Sequence, residues 1–317
     1  MRPSRLITKK VSGSADLAEI FVGHYHKTPD KRVEFVDGLQ PNLAREEKWI
    51  INLSTQYGCP VRCLFCDAGG DYRGNVPASI MLGQVNTILR RYPERLRREC
   101  KKLKVHFSRM GEPSLNPDVL TTLLHLPDLI PNPNLWACVA TIFPKNRGDW
   151  FARLLEIKNR LYRGRFQLQF SINSTDEVAR GKLSPVPLTG FDDIAEYGYK
   201  FLDAGARRPV LNFALAKNVP VDPLVIQRYF DPNLFIVKLT PLNPTIKGAV
   251  EGLRSAITPE DNRQALEIAT TLRAFGYDTI VSIGSWREND LRSNCGQAVR
   301  VLTGEAAGNA DTPKYLI

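Results

Sequence analysis

A chain of 317 residues with 43% hydrophobic and 24% charged side chains is long enough to bury a sizeable core and too apolar to remain disordered. Its 43 Lys and Arg against 33 Asp and Glu leave a net charge of +10, which favours a polyanionic partner such as nucleic acid. No window approaches the ~18 uninterrupted apolar residues of a membrane span, and the opening MRPSRLITKK lacks the apolar centre of a signal peptide, so a cytoplasmic protein is expected.

Residues 1 to 48 lack a clear helix or strand period and read as an N-terminal extension. A regular rhythm begins at WIINLST (49 to 55) and returns at LKVHFSRM (103 to 110), WACVATIF (136 to 143), FQLQFSIN (166 to 173), VLNFALAK (210 to 217), LFIVKLTPL (234 to 242) and DTIVSIGS (278 to 285). Helical patterns lie between them over 79 to 101, 149 to 162, 191 to 204 and 259 to 275, the last opening on the capping sequence TPED. Strand followed by helix, repeated, predicts parallel strands with right-handed crossovers. The expected fold is therefore α/β, a partial or full (β/α) TIM-like barrel over residues 49 to 290, with 291 to 317 as a C-terminal segment. Chemistry in such barrels sits at the C-terminal ends of the strands. The densest basic run, RRYPERLRRECKKLK (90 to 104), is either a solvated helix face or a phosphate-contacting patch.

Six cysteines are too few for a disulfide scaffold, and three of them fall within eight positions of TQYGCPVRCLFCDAGG (55 to 70), after the first barrel strand. Cys59, Cys63 and Cys66 can bind three irons of a four-iron, four-sulfur cluster and leave the fourth iron open to a chelating ligand. A zinc site would need a fourth Cys or His close by, and none stands there. The C-x3-C-x2-C spacing, with Phe65 before the last cysteine, resembles the radical S-adenosylmethionine (SAM) superfamily. RMGEPSLN (109 to 116), SIN (171 to 173), KLTPLNP (238 to 244) and SNCGQAV (293 to 299) follow in an order that resembles the RlmN/Cfr RNA adenine methyltransferases, over about residues 50 to 300.

The resemblance implies a 4Fe-4S cluster on Cys59, Cys63 and Cys66, and SAM lined by Gly111, Glu112, Ser171, Ile172, Asn173 and Asn243. It implies a methyl-carrying Cys295, an acidic base loosely matched by Glu34, and a reduced flavodoxin or ferredoxin as electron donor. Three positions depart from the family: Ala140 replaces a serine, Asn173 a histidine, and Asn52 the thiol that resolves the enzyme–substrate adduct. Cys138 shares the inward strand face of Ala140 but lies a layer deeper, and Cys100 ends a basic helix on the outside. The function expected is radical modification, by methylation, of a nucleobase in RNA or of a nucleoside. The alternatives are a radical SAM enzyme for a small metabolite or peptide without methyl-cysteine chemistry, and a non-enzymatic iron–sulfur sensor.

Overall fold

Apolar and polar residues alternate along the barrel strands because only one face of the sheet is covered by helices. The computed structural model describes residues 1 to 302 except 69–70, 204–205, 285–286 and 292–296; Cys295 therefore lies outside the described residues. One ten-stranded sheet runs in chain order, β1 (Leu6–Ser14), β2 (Ala18–Tyr25), β3 (Thr28–Leu39), β4 (Trp49–Leu53), β5 (Leu103–Phe107), β6 (Leu135–Thr141), β7 (Phe166–Ser171), β8 (Val210–Leu215), β9 (Ile236–Pro241) and β10 (Asp278–Val281). From β4 onward every neighbouring pair is parallel, as the alternation of strand and helix predicts.

Register separates the two faces of this half-barrel. Trp49, Ile51, Leu53, Leu103, Val105, Phe107, Leu168, Phe170, Leu211, Phe213, Val237 and Leu239 all point outward and are wholly buried. They pack beneath α1 (Ala78–Leu89), α3 (Asp118–Leu129), α4 (Gly148–Leu161), α6 (Phe191–Phe201), α7 (Pro223–Tyr229) and α9 (Arg263–Ala274), whose inward residues include Ile88, Leu123, Leu154, Ile194, Ile226 and Leu272. The inner face carries Asn52, Lys104, His106, Cys138, Gln167, Gln169, Asn212 and Lys238 instead, in aligned rows such as Asn52, His106, Cys138 and Gln167. The core is thus a shell between sheet and helices, and the barrel interior is polar.

The segment before residue 49 does not stand apart from this sheet. β1, β2 and β3 form an antiparallel extension of it, and β3 pairs with β4 through Val36 and Asn52. The single helix expected over 79 to 101 is two, because Pro93 lacks the amide that would continue α1 and instead caps α2 (Glu94–Glu99). On α2, Arg95 pairs with Glu99 and Arg98 with Glu94, so these basic side chains are balanced on an exposed helix. Cys100 is not on the outside: it is wholly buried, and its thiol donates to the Arg45 carbonyl at 3.2 Å. No described helix is long and apolar enough to cross a membrane.

The last part of the chain returns to the beginning. After α5 (Glu177–Leu183), α8 (Ile246–Val250) and α10 (Arg287–Asp290), helix α11 (Gln297–Leu302) packs its Ala298 against Ile20, Val22 and Val36 of β2 and β3.

Candidate active site

At the C-terminal ends of the parallel strands the chain leaves the sheet in loops, and two of these are zipped together by backbone hydrogen bonds. Thr55 N and Gln56 N donate to Met110 O at 2.7 and 3.1 Å, and Glu112 N donates to the Gln56 side chain at 2.9 Å. Gln84 of α1 clamps Ser54 from behind through both its amide atoms, 2.9 and 3.0 Å away. Gly111 sits in this seam with φ +102°, and a Cβ there would meet Thr55 Oγ1 at 2.6 Å and Gln56 Cβ at 2.7 Å. Only glycine suits both that conformation and that closeness.

The seam puts the cysteine loop beside Glu112. Cys59, Cys63 and Cys66 line one wall of a cavity of about 260 Å³ whose other walls include Gly111, Glu112, Ala140, Ser171, Asn173, Thr240 and Asn243. Among the described residues no three Cys, His, Asp or Glu side chains converge on a point that suits one metal ion. Thiols spread along one wall suit a cluster, in which each cysteine holds a different iron, better than a tetrahedral zinc. Burial, reinforced by the neighbouring Cys66 sulfur, pushes the Cys63 thiol up to about 12, and the Cys59 thiol is raised further by burial. Such thiols become thiolates when a cationic centre replaces their protons.

Glu112 is 5% exposed, and the neighbouring backbone saturates much of its carboxylate. Oε1 accepts from Thr141 Oγ1 at 2.5 Å, Ser114 Oγ at 2.8 Å and Ser114 N at 3.1 Å, while Oε2 accepts from Ile142 N at 3.0 Å. Burial still raises its pKa against these bonds. Among the described residues no Lys or Arg forms an ion pair with it, so the carboxyl group lines the cavity held by hydrogen bonds alone. That arrangement fits the ammonium end of an amino acid moiety such as that of SAM. Thr141, which holds the carboxylate together with Ser114 of the Gly-Glu-Pro stretch, carries no motif that would single it out in the sequence.

The remaining expected residues divide. Ser171, Asn173 and Asn243 line the cavity. Asn173 adopts φ +63° and accepts from Ala214 N at 3.3 Å, which turns the chain at the end of β7. Ile172 is buried in the core, and its amide donates to Asn212 O at 2.9 Å. Ala140 reaches the cavity with only a methyl group. Asn52 lies one layer below, where its carbonyl accepts from Ser108 Oγ at 3.4 Å.

Glu34 does not line the cavity. It is wholly buried on β3, ion-paired to Arg109 at 2.5 Å, and its Oε2 accepts from Val299 N of α11 at 3.0 Å. Arg109 does line the cavity. Arg300 of the same helix reaches Asp67 at 3.3 Å, and Asp67 also accepts from Ile246 N and Lys247 N at 3.0 and 2.8 Å. Hence the helix that follows Cys295 is held by two carboxylates, one beside Arg109 and the other one residue beyond Cys66.

Comparison with known proteins finds relatives of one description and a shared fold. No protein-family model matches the chain. A protein of Synechococcus sp. (strain RCC307), described as a "probable dual-specificity RNA methyltransferase RlmN", is 27% identical over 275 residues, which cover 83% of this chain and 72% of that one. A protein of the same description from Syntrophomonas wolfei is 26% identical over 278 residues, covering 84% and 72%. The crystal structure of a radical SAM methyltransferase from Sphaerobacter thermophilus superposes with a TM-score of 0.71 at 20% identity, over 93% of this chain and 81% of that one. The latter likeness is one of fold.

Proposed function

We propose that this chain, a radical SAM protein of the RlmN/Cfr type, methylates a nucleobase in RNA by radical chemistry. The observation that carries the reading is the pairing, in one cavity, of three cysteines with the buried Glu112, which forms no ion pair among the described residues. A four-iron cluster supplies the electron that cleaves bound SAM to a carbon radical. Cys59, Cys63 and Cys66 would hold that cluster, and Glu112 would orient the ammonium of SAM, with Gly111 letting the backbone close against it. Asn173, Ser171 and Asn243 would line the rest of the cofactor, and the walls from Ala140 to Ile142 would keep water out of the radical's path. A reduced flavodoxin or ferredoxin would be the electron donor. The relatives' description as RNA methyltransferases supports RNA as substrate, as does the net charge of +10.

Anaerobically reconstituted protein with SAM, a reductant and total cell RNA is expected to yield 5′-deoxyadenosine, S-adenosylhomocysteine and a methylated nucleoside in the RNA digest. Release of 5′-deoxyadenosine at the same rate without RNA, and no methylated nucleoside, would remove RNA from the reading.

Cys295 is proposed as the methyl carrier and Glu34 as the residue that positions its segment. In support of that role, the Glu34 carboxylate is engaged by Arg109 and by the Val299 amide. Product release must then differ from the family's, since Asn52 has no thiol and an amide cannot displace a thioether. Among the described residues no cysteine besides the cluster three lines the cavity; Cys138 lies beneath it, 3% exposed. An external thiol is therefore expected to release the product. Mass spectrometry of protein incubated with SAM should show a methyl on Cys295, with turnover that depends on added thiol. Full turnover without thiol, together with a Cys138–Cys295 disulfide, would restore the family's release step with a relocated partner.

A further inference from the structure

Behind the wall of the cofactor cavity lies a buried arginine that the site does not expose. Arg180 of α5 is 3% exposed, and among the described residues no carboxylate forms an ion pair with it; Glu177, three residues earlier, acts on it only through space. Burial pulls its pKa down to about 10, so it stays charged near neutrality. Its Nη1 donates to Thr189 O at 2.6 Å and its Nη2 to Ile142 O at 3.1 Å, and the guanidinium centre lies 5.4 Å from the centre of the Phe191 ring. A cation buried without a counter-ion is costly, and the carbonyls it holds show where its charge is directed.

One of those carbonyls leads to Glu112. The Ile142 C=O belongs to the same peptide group as the Phe143 N–H, which donates to Thr141 Oγ1 at 2.9 Å. The Thr141 hydroxyl in turn donates to Glu112 Oε1 at 2.5 Å. Guanidinium, peptide, hydroxyl and carboxylate thus form one chain in which every bond runs in the same sense, from cation to anion. Hydrogen bonds aligned in this way polarise one another in a low-dielectric interior.

The backbone that carries this chain is held from outside. Phe143 adopts φ +57°, an uncommon conformation for an aromatic residue. Its carbonyl accepts from Thr189 N at 3.1 Å, and the Thr189 carbonyl returns to Arg180. Such a bend persists where its surroundings over-determine it. With Ile142 O fixed, the Ile142 amide is also kept on Glu112 Oε2. At the other end of α5, Ser184 N donates to Arg180 O at 3.1 Å and Ser184 Oγ lies 3.1 Å from Cys63 Sγ. One short helix therefore reaches both the cysteine loop and the support of the carboxylate.

We propose that Arg180 is a positioning residue of the SAM site: through the Ile142–Phe143 peptide and the Thr141 hydroxyl it orients and polarises Glu112 toward the ammonium of SAM without touching the ligand. This rests on the SAM reading above and adds to it the group that aims its carboxylate.

Arg180→Met and Thr141→Val cut the chain at its start and its middle. Calorimetry on anaerobically reconstituted protein should show each variant binding SAM roughly ten-fold more weakly, the lower end of what one charge-assisted contact contributes. The affinity for 5′-methylthioadenosine, which has the adenosine and sulfur of SAM but neither its ammonium nor its carboxylate, should not change. Thr141→Ser, which keeps the hydroxyl, should bind SAM as the wild type does. Arg180→Met combined with Glu112→Gln should lose little more than Glu112→Gln alone, because members of one network are not additive. If Arg180→Met fails to fold, Thr141→Val set against Thr141→Ser carries the same test. Equal loss of both ligands would make the chain a support of the fold only and overturn the inference. So would unchanged SAM affinity in Arg180→Met and Thr141→Val beside a loss in Glu112→Gln, which leaves the SAM reading standing. A wild type that binds no SAM removes that reading and this inference with it.

Discussion

Replacing Cys63 with alanine yields a folded, colourless protein that takes up no four-iron cluster on anaerobic reconstitution and releases no 5′-deoxyadenosine from SAM. The thiol is close to the cavity wall, 3.1 Å from Ser184 Oγ, and its loop is tied to the rest of the barrel by other bonds, Leu64 N to Leu183 O at 2.9 Å and Thr245 Oγ1 to Phe65 O at 3.0 Å. Those ties do not depend on sulfur, so the fold should persist while cluster affinity, which needs every available thiolate, is lost. Iron content, the visible absorption band and the thermal midpoint separate the two effects. Iron uptake equal to wild type in the variant would show that these cysteines do not hold a cluster.

The Glu112→Gln variant should bind SAM roughly ten- to a hundred-fold more weakly, because a charge-assisted contact with the ammonium is worth about 1.5 to 3 kcal/mol. A second cost arises within the protein. All four groups around the carboxylate donate to it, the Thr141 hydroxyl, the Ser114 hydroxyl and amide, and the Ile142 amide. A glutamine NH2 would face one of these donors with another donor, at a penalty of about 1 to 3 kcal/mol. Anaerobic calorimetry should thus show weaker SAM binding, and thermal unfolding a lower midpoint in the absence of ligand. Unchanged affinity beside a lowered midpoint would make Glu112 a structural carboxylate only.

Much of the barrel was legible in the sequence because strands such as β7 and β9 alternate strictly. In FQLQFS of β7, Phe166, Leu168 and Phe170 are buried outward, while Gln167, Gln169 and Ser171 face inward. The cysteine loop and the Gly-Glu-Pro turn were legible for a different reason, since each packs its chemistry into a few consecutive residues. What escaped was whatever depends on contacts distant in sequence. Thr141 reaches Glu112 across 29 positions, and the Val299 amide reaches Glu34 across 265. No local period or spacing encodes either bond. The antiparallel strands before residue 49 escaped because β2 buries both faces over AEIFVG, Ile20 and Val22 beneath the C-terminal helix and Phe21 in the main core, and so shows no alternation. Pro93 was visible, yet its effect was missed within an otherwise strongly helical run.

Because the half-barrel keeps its greasy packing outside the sheet and its polar residues within, the part of the molecule that makes it durable is physically separate from the part that meets a ligand. A change at Asn52 or Gln169 removes little from the buried shell of Ile51, Val105, Phe170 and Phe213. Lineages built on this scaffold can therefore drift through many interior chemistries at nearly constant thermal robustness. A library randomised at those inward positions should retain foldedness in most members while their ligand preferences scatter.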